Sequence, residues 1–551
     1  MAYTETKVTE SVISASRWKR ILRWEYLGLL ALVIVTMVFH FMAIGHPSTI
    51  VWDEVWYVGD ARSIISGTGD IRPEHPPLAK LFILAGDYIF NGFRSPETST
   101  GTSSLQVIGS DKDNDKAINV SNASGFSEGN TIRIGTEQMT IVNADTTFNQ
   151  IIVTRGAGGT PVTSHGEQEP IFIFKDNAVG WRFFSVIFGE IGIVLVYFIC
   201  RKLKFFWHVA LFATFLFAFE DMTFLHSSLA LLDVYMVTFM LAAVFFYLRR
   251  NYFPCAIFIA LSTECKLSGS LIIIALLLHW IIYRRDNWKL LVGSLGAAVF
   301  TFVFFLILLD FFITGNIENP LTRIHSLVSS TAANQFTVPK LGISSRPWTW
   351  IYPQWVQVFN NSPDEWVQTF NTFPNVPFLI YYQNPQYISF ISSTIQILIV
   401  PTIGYMVYKT IKGSQAAAFV LFWFLATYLV WIPLDILTNR VTFVYYFLPT
   451  TPAICIGLGI AFSDILDRLN SRRAVFSRAT PGIKASYLAI VFYLVFHLAI
   501  FIVFNPVIPP IIKTWLSPFP TNPTSVSIKP ESCVLPATFQ AMTSRTFVDR
   551  Y

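Results

Sequence analysis

Long apolar stretches separated by short polar connections run through most of this chain. A helix needs roughly 20 apolar residues to cross a bilayer, and eleven stretches reach or approach that length, two of them being short. They lie near residues 25–45, 183–200, 206–219, 228–248, 253–263, 268–283, 290–313, 388–408, 415–433, 442–462 and 486–505. The pattern predicts an α-helical polytopic membrane protein with about eleven transmembrane helices.

Basic residues occupy every second connection between these stretches. They are Arg17, Lys19, Arg20 and Arg23 before the first stretch, then Arg201, Lys202, Lys204, Arg249, Arg250, Arg284, Arg285, Lys289, Lys409, Lys412, Arg468, Arg472, Arg473 and Arg478. Because cytoplasmic loops carry an excess of Lys and Arg, this side is predicted to be cytoplasmic. The opposite side then receives the long loop after the first span, the loop 314–387 and the turn around Asp435 to Arg440.

The same pattern divides the chain into segments. They are a cytoplasmic tail (1–24), the first span with the start of the outer loop (25–102), an insert (103–175), spans two to seven (176–313), an outer loop (314–387), spans eight to eleven (388–505) and an extracytoplasmic tail (506–551). No small-residue cleavage pattern follows the first apolar run, so we expect that span to be retained.

Composition narrows the class of protein. The 551 residues are 53% hydrophobic with a mean hydropathy of +0.50, which excludes an ordinary soluble enzyme. The net charge of +5 is spread over short loops, so it reports topology rather than nucleic-acid binding. Five cysteines without paired spacing predict neither a disulfide framework nor a metal motif. The sequence holds no P-loop, dinucleotide-binding fingerprint, HExxH motif or nucleophile elbow, which disfavours an ATP-driven transporter.

Residues 103–175 interrupt the apolar pattern with a segment rich in Gly, Thr, Asn and Ile. Apolar and polar residues alternate in NTIRIGT, QMTIVNA and QIIVTRG, and turn residues separate these runs, so we expect a small β-rich insert in the first outer loop. A recognition or spacer module and plain decoration of the loop are equally compatible with it. Asn119 and Asn122 stand in glycosylation sequons, which are a weak signal because the pattern is short.

Residues 51–80 hold a high density of charge for a protein in which 13% of residues are charged. Asp53 and Glu54 follow the first span and point in different directions on a helix or a strand. One of them can be a general base and the other an orienting group, or both can belong to an acidic helix N-terminus. In HPPLAK, His75 and Lys80 flank two rigid prolines and offer donors to a lipid phosphate, although Lys80 can also be an ordinary snorkelling lysine.

Other charged residues approach the same predicted face from further spans. Arg182 begins the second span and Asp221 follows the third. Asp233 lies within the fourth, where an unpaired carboxylate would be costly. It is therefore either catalytic or held by a buried hydrogen bond. Glu264 and Lys266 divide spans five and six, and no particular role follows for them.

Two more candidates belong to the later outer segments. Trp348 lies in the aromatic-rich SRPWTWIYP, where its ring can pack on a sugar or anchor the chain at the membrane interface. Arg440 precedes VTFVYYFLP, where a guanidinium can clamp a phosphate or anchor a helix among lipid headgroups. Composition leaves both pairs of alternatives open.

These segments resemble the motifs of the protein O-mannosyltransferase family, both in their order along the chain and in the side of the membrane on which they are predicted to lie. More broadly, they resemble the GT-C class of membrane glycosyltransferases that use polyprenyl-phosphate sugars. The resemblance runs from about 25 to 460, with the insert interrupting it. It is carried by the Asp53-Glu54 pair, HPPLAK at 75–80 against the family's HPPLGK, WRFFSVIFG at 181–189, DMTFLHSSLALLD at 221–233, STECKLSG at 262–269, RPWTW at 346–350, Asn384-Pro385 and RVTFVYYFLP at 440–449.

The chain also departs from that family. Tyr445 and Tyr446 stand where eukaryotic members have two histidines, and no arginine follows Ser227 or Ser228. The insert lies in the first loop, whereas those enzymes carry a trefoil domain in a later one. These differences make the chain look like a prokaryotic, archaeal-type member.

The resemblance implies transfer of a hexose, mannose in the family, from a polyprenyl- or dolichyl-phosphate carrier to Ser or Thr hydroxyls of a protein. It implies inversion, no nucleotide and no metal cofactor. The roles it implies are Asp53 as general base, Glu54 as orienting group, His75, Lys80, Arg182 and Arg440 as a phosphate clamp, Asp221 and Asp233 as organisers of the cations, and Trp348 as a packing surface for sugar or peptide.

Three other functions are compatible with the sequence. A sister GT-C enzyme would glycosylate a lipid or glycan acceptor. A secondary transporter would need internal repeats and a polar site at mid-membrane, and a non-catalytic surface protein would display the insert. We expect the protein in the plasma membrane, with its site extracytoplasmic, or in the endoplasmic reticulum of a eukaryote, because both membranes follow the positive-inside rule.

Overall fold

The computed structural model describes residues 24–333, 345–351, 357–359, 387–474 and 481–508, apart from positions 47, 49, 52, 68, 71, 175, 176, 286 and 506. The predicted tail before Trp24, most of the loop 314–387 with its Asn384-Pro385 motif, and the tail after 508 lie outside the described residues. Helices make up most of the described part, and one β-rich unit interrupts them.

The helices follow one another through mostly short connections. They are α1 (Trp24–Ala43), α2 (Glu54–Ile65), α3 (Leu78–Phe90), α4 (Ala178–Lys202), α5 (Trp207–Ala218), α6 (Asp221–Ser228), α7 (Leu232–Leu248), α8 (Tyr252–Cys265), α9 (Leu267–Arg284), α10 (Trp288–Thr314), α11 (Pro320–Ala333), α12 (Ser393–Ile411), α13 (Gln415–Thr438), α14 (Thr451–Ala474) and α15 (Pro481–Phe504).

Within the described residues, seven helices are long and apolar enough to cross a membrane, or eight if the bent pair α5–α6 forms one span. Three shorter apolar helices, Leu232–Leu248, Tyr252–Cys265 and Leu488–Val503, complete the set. These eight spans and three shorter helices coincide with the eleven apolar stretches of the sequence. The predicted polytopic helical membrane fold is confirmed, and the two stretches predicted to be short are helical as well.

Burial differs between helices of the bundle. The span Val444–Leu466 has 89% of its apolar window buried inside the protein, whereas α10 has 17%. The aromatic rings of Phe300, Phe304 and Phe312 on α10 are exposed. An apolar helix with exposed rings suits a lipid-facing position, and the central span suits the core of the bundle.

A polar break separates α5 from α6, whose axes differ by 62°. Glu220 caps α6 by accepting hydrogen bonds from the backbone N–H of Thr223 at 2.7 Å and its hydroxyl at 3.0 Å. After α6 the chain is extended at Leu229 and Leu231 before α7 begins. The break turns a run of apolar residues into a bent pair and leaves backbone N–H groups available near Ala230.

The insert is a six-stranded antiparallel sheet in the order β1-β6-β3-β4-β5-β2. Its strands are β1 (Glu97–Ser103), β2 (Ala117–Asn119), β3 (Thr131–Ile134), β4 (Glu137–Asp145), β5 (Gln150–Arg155) and β6 (Pro170–Phe174). The N–H of Leu105 bonds to Asn119 O at 2.8 Å and that of Ser121 to Ser103 O at 3.0 Å, so the sheet closes into a small barrel. The β-rich insert is confirmed, and its first strand begins at Glu97, ahead of the predicted boundary at 103.

The inward residues of the alternating strands fill the barrel. Among them are Ile118, Ile132, Ile134, Met139, Ile141, Ile151, Val153 and Ile171. One polar cluster is also buried there. Glu137 accepts two hydrogen bonds from the Arg155 guanidinium at 2.8 and 2.6 Å, lies 2.9 Å from His165 Nε2, and accepts backbone bonds from Gly156 at 3.1 Å and Thr163 at 2.9 Å.

Two helices of the first loop lie between the barrel and the membrane helices. α2 packs on α3, and α3 packs on α4. A short 3₁₀ turn of the barrel, Ala157–Gly159, packs on α2. The charged segment that opens the first outer loop is therefore held from both sides.

Candidate active site

Asp53 caps the N-terminus of α2, and Glu54 is its first helical residue. An acidic residue is favourable there because it faces the positive end of the helix dipole. Adjacent residues on a helix diverge by roughly 100°, and the two side chains meet different surroundings. Glu54 is fully buried, whereas Asp53 is half-buried.

Glu54 is bound on all sides. Its carboxylate accepts two hydrogen bonds from Arg182, from Nε and Nη2, both at 2.7 Å. It also accepts the backbone N–H of Val51 at 3.0 Å and of Ala230 at 2.9 Å. Arg182 in turn donates to the Ile44 carbonyl at 2.9 Å, and neither charged side chain is exposed. A satisfied bidentate pair of this kind joins the end of α1, the start of α2, α4 and the α6–α7 connection.

This pair concerns two predicted roles that stay predictions. We expected Glu54 to orient a substrate and Arg182 to clamp the lipid phosphate. In the described structure the two side chains instead form an ion pair with each other, and separating two buried ions would be costly. In this arrangement both residues position the first loop.

Asp53 has the opposite environment. Among the described residues, no donor is hydrogen-bonded to its carboxylate. Burial raises the pKa of Asp53 to about 7; the positive charge of Lys266 opposes this rise, and the negative charge of Asp233 adds to it. A carboxyl group with a pKa near neutrality is suited to accept a proton during a reaction.

Lys266 and Asp233 form the second part of the site. Nζ of Lys266 lies 2.9 and 3.0 Å from the two carboxylate oxygens of Asp233. The ammonium group also lies 5.0 Å from the ring centre of Tyr445 and 5.1 Å from that of Tyr446. Asp233 is thus a paired carboxylate in the first turn of α7, and the pair brings a cation close to Asp53.

His75 lies in the same region and contacts Tyr57 edge-on, with ring centres 6.0 Å apart. Burial keeps the pKa of His75 well below its usual value, and the charges of Lys266, Lys80 and Arg440 lower it further. A neutral imidazole donates through one ring nitrogen and accepts through the other. His75 therefore offers the site a hydrogen bond without adding positive charge.

Lys80 is removed from solvent. Its ammonium group lies 2.8 Å from Asp60 Oδ2 and 2.9 Å from both Asp70 oxygens, and it donates to the Arg72 carbonyl at 2.6 Å. Its side chain is fully buried. We expected Lys80 to bind a lipid phosphate, and that role stays a prediction; in the described structure its hydrogen bonds go to Asp70 and the Arg72 carbonyl, and it also forms an ion pair with Asp60. Lys80 fastens the loop that carries Arg72 and His75 to α2.

Two guanidinium groups keep donors that are not used within the described residues. The Nε atoms of Arg440 and Arg72 are buried and have no hydrogen-bond partner there. Arg72 lies over the Trp56 ring at 3.1 Å and pairs loosely with Glu74 at 3.6 Å. Both arginines act electrostatically on His75. Buried N–H groups without partners are rare, so they point to an anionic ligand at this place.

Asp221 lies in a separate network. Its carboxylate accepts hydrogen bonds from Ser392 Oγ at 2.7 Å and from Asn505 Nδ2 at 3.3 Å. These contacts join α6 to the start of α12 and the end of α15. We expected Asp221 to order the cations of the site, and that role stays a prediction; its hydrogen bonds in the described structure hold helices together.

Trp348 is 42% exposed and lies on a 3₁₀ turn, Pro347–Thr349. Arg346 covers its ring at 5.8 Å and also pairs with Asp435 at 2.9 Å and with Asn439 at 2.9 Å. The turn is thereby fastened to the segment that precedes Arg440. Trp348 therefore lies beside that segment, and much of its ring is open to solvent.

The structure therefore brings Asp53, His75, Asp233 and Arg440 into one region and adds residues that the sequence analysis passed over. Lys266 and Arg72 are the two most important additions, because they supply cations near Asp53 and His75. A signal existed for both: a lysine directly after an apolar helix, and an arginine within the dense charge of residues 51–80. Neither signal distinguishes a ligand-binding cation from an ordinary surface charge.

The family model described as Dolichyl-phosphate-mannose-protein mannosyltransferase matches residues 158–324 of this chain. The predicted family resemblance is confirmed. The matched segment contains three of the expected site residues, Arg182, Asp221 and Asp233. The match supports a membrane glycosyltransferase related to the O-mannosyltransferases. A comparison with curated proteins finds no matching relative.

Three solved structures are similar to this chain. The S. cerevisiae protein O-mannosyltransferase Pmt1-Pmt2 complex bound to the sugar donor has 14% identity and a TM-score of 0.47, covering 88% of this chain and 90% of that one. ArnT from Cupriavidus metallidurans bound to undecaprenyl phosphate has 12% identity and a TM-score of 0.44, covering 89% and 74%. The archaeal oligosaccharyltransferase AglB from Archaeoglobus fulgidus, in complex with an inhibitory peptide and a dolichol-phosphate, has 14% identity and a TM-score of 0.44, covering 89% and 56%.

Proposed function

We propose that this protein transfers a hexose, mannose in the first instance, from a polyprenyl- or dolichyl-phosphate carrier to a Ser or Thr hydroxyl of a protein. The observation that carries the proposal is the half-buried carboxyl of Asp53, which has a raised pKa and stands next to a cluster of cations. A base and an anion-binding site side by side match the two needs of this reaction. The family match to mannosyltransferases supports the choice of sugar and acceptor.

In the proposed reaction, the acceptor hydroxyl oxygen attacks the anomeric carbon of the sugar. The new glycosidic bond forms as the bond from that carbon to the phosphate oxygen breaks, so the configuration inverts. Asp53 takes the hydroxyl proton, because an unassisted Ser or Thr hydroxyl is a poor nucleophile. The polyprenyl phosphate leaves with the bonding electron pair.

The leaving phosphate gains negative charge, which prearranged cations stabilise most effectively. Arg440 and Arg72 each have a buried N–H donor without a partner in the described part of the chain, and both act on the same imidazole, that of His75. We assign the phosphate to these two arginines, with His75 as a neutral donor. Lys266 holds Asp233 and keeps positive charge near Asp53, which maintains part of that carboxyl in its basic form.

The remaining expected residues receive supporting roles in the proposal. Glu54, Arg182 and Lys80 position the first loop, and Trp348 offers an exposed ring to sugar or peptide. Among the described residues, no group of three or more His, Cys, Asp or Glu side chains is arranged to hold a metal ion. Independence from metal remains a prediction, as does the extracytoplasmic position of the site in the plasma membrane or endoplasmic reticulum.

The test is a transfer assay with purified protein in detergent or nanodiscs. Radiolabelled dolichyl-phosphate-mannose is offered with a Ser/Thr-rich peptide, and parallel reactions replace the peptide by a lipid or a glycan acceptor. We expect label on the peptide, and its loss in Asp53→Asn but not in Asp113→Asn, which changes an exposed acid of the barrel. Label on the lipid or glycan instead would replace the acceptor class. No label on any acceptor, with other sugars also tried, would overturn the function.

A further inference from the structure

The barrel contacts one face of α2 at three residues of that helix. Gly59, Arg62 and Ser63 are spaced i, i+3 and i+4 along the helix, so they lie on the same face. All three residues are buried. A different barrel element meets each position: the 3₁₀ turn, the end of β6, and β4.

At the first position two backbones touch. A Cβ atom added to Gly59 would lie 2.9 Å from Cα of Gly158, closer than side-chain carbons approach in folded proteins. Gly158 itself has a φ of +64°, which side chains rarely adopt. Only glycine at both places allows the turn and the helix to approach so closely.

Polar and cation–π contacts surround this approach. Gln138 of β4 donates from Nε2 to Ser63 Oγ at 3.2 Å, and both side chains are buried. The Arg62 guanidinium lies 4.7 Å from the ring centre of Phe174, the last residue of β6, and 3.9 Å from Asp87 of α3. Arg62 is 1% exposed, so its charge relies on these neighbours.

The other end of α2 reaches the site. Asp53 precedes Gly59 by six positions, which is roughly 9 Å along the helix axis. The N-terminal end is held by the buried Glu54–Arg182 pair. The barrel contact therefore adds a further attachment to a short helix that also packs on α3, and it restrains the face of α2 that carries Gly59.

We propose that the barrel is a positioning element for Asp53, acting through its contact with the Gly59 face of α2. The inference rests on the proposed role of Asp53 as base. Loss of the contact would leave α2 held by the Glu54–Arg182 pair and by α3, without support on its Gly59 face, and would alter the placement of the Asp53 carboxyl relative to Lys266 and Asp233. A barrel that serves only as a spacer or decoration predicts no such effect.

Gly59→Ala is the direct test, because alanine by itself favours a helix interior over glycine. Any loosening of α2 in this variant must therefore come from the barrel contact. Gly296→Ala in α10 is the matched control, since its added Cβ meets nothing within 4 Å. Ser63→Ala removes the hydroxyl that accepts the hydrogen bond from Gln138, whereas Ser63→Thr keeps a hydroxyl at that position.

Hydrogen exchange of residues 54–65 measures the contact without any assay of activity. We expect faster exchange in Gly59→Ala and Ser63→Ala, and wild-type exchange in Gly296→Ala and Ser63→Thr. We also expect kcat to fall about 10- to 100-fold in Gly59→Ala, since a misplacement near 1 Å can cost that much. Donor KM should change less than kcat, because Arg440 lies outside α2, although Arg72 contacts Trp56 of that helix.

The pH dependence of kcat/KM is a further measurement, and a purely structural role of the barrel would not change it. If Asp53 shifts relative to Lys266 and Asp233, the midpoint of the kcat/KM profile should move away from that of the wild type. Unchanged exchange in α2, or altered exchange with unchanged kcat and midpoint, overturns the positioning role. A wild type that transfers no sugar to any acceptor overturns the proposed function, while the exchange experiment still reports on the contact.

Discussion

Two buried acids, one inside the barrel and one at the membrane boundary, show opposite uses of the same functional group. Glu137 accepts hydrogen bonds from Arg155, His165 and two backbone N–H groups. Burial alone would raise its pKa, but the hydrogen bonds of Arg155 and His165 outweigh it and hold the pKa of Glu137 at about 2. Asp53 has no such donors among the described residues, and burial raises its pKa to about 7. Satisfied acids hold the fold, and the unsatisfied acid is available for proton transfer.

The same contrast separates two adjacent residues. Glu54 resembles Glu137, since both accept a bidentate guanidinium and two backbone N–H groups. Asp53, one residue earlier, faces Lys266 and Asp233 without a hydrogen bond from the described residues. The helix geometry makes this division, because neighbouring side chains diverge by roughly 100°.

The largest effect is expected for Asp53→Asn. Asparagine keeps the size of the side chain but cannot take a proton, so kcat should fall about 10²- to 10⁴-fold. Thermal stability should stay near the wild-type value, because no buried ion pair is broken. Steady-state transfer kinetics and thermal denaturation measure the two quantities. Activity within a few-fold of wild type would remove Asp53 from the role of base.

Glu54→Gln should separate stability from chemistry. It leaves Arg182 buried without its counter-charge, so we expect a loss of about 3–5 kcal/mol in unfolding free energy. Glu137→Gln should lower the unfolding free energy by a similar amount, with the effect confined to the barrel. It leaves Arg155, like Arg182, buried without its counter-charge. Thermal denaturation with hydrogen exchange distinguishes the two sites. A fully stable but inactive Glu54→Gln protein would place Glu54 in the chemistry.

Arg440→Ala should weaken donor binding. Losing a charged hydrogen bond to the phosphate costs about 1.5–3 kcal/mol, so donor KM should rise at least about 10-fold while the acceptor KM changes little. Arg133→Ala, which breaks an ion pair of the barrel, is the matched control. An unchanged donor KM in the Arg440 variant would contradict the phosphate assignment.

The pH dependence is the smallest of the expected effects. Asp53 acts as a base only when deprotonated, so kcat/KM should rise as the pH increases from 6 to 8, with a midpoint near its pKa of about 7. Glu137 should behave differently, because its pKa is lowered to about 2. Its contribution to barrel stability is full above the ordinary glutamate pKa of about 4.5 and is lost as the pH falls toward 2. A rate that is flat between pH 6 and 8 would argue against Asp53.

Much of the fold follows from local pattern. The eleven apolar stretches are all helical, because a long apolar segment in a membrane must satisfy its backbone hydrogen bonds internally. The alternating runs of the insert became β3, β4 and β5, because a period of two suits a sheet with one buried face. Closure of the barrel has no local signal, since it depends on backbone hydrogen bonds such as Leu105 to Asn119. Its contact with α2 has none either, since it depends on backbone approach at Gly59 and Gly158.

The site was predictable in outline only. Sequence order placed Asp53, His75 and Arg440 at one face, and the structure brings them together. The sequence could not reveal that Glu54 pairs with Arg182, 128 residues away, or that Lys80 is enclosed by Asp60 and Asp70. A charged residue has the same local signature whether its partner is the protein or a ligand.

The sequence by itself determined that this is a helical membrane protein with a β-rich insert, and that acids and cations gather beside the first span. These properties depend on hydrophobicity and periodicity, which are local. Only the tertiary structure decided which charges are already neutralised and which remain available. That decision depends on distance and burial between segments far apart in the chain: Glu54 and Lys80 are enclosed by opposite charges, whereas Asp53 has no hydrogen-bond donor and Arg440 Nε no acceptor among the described residues.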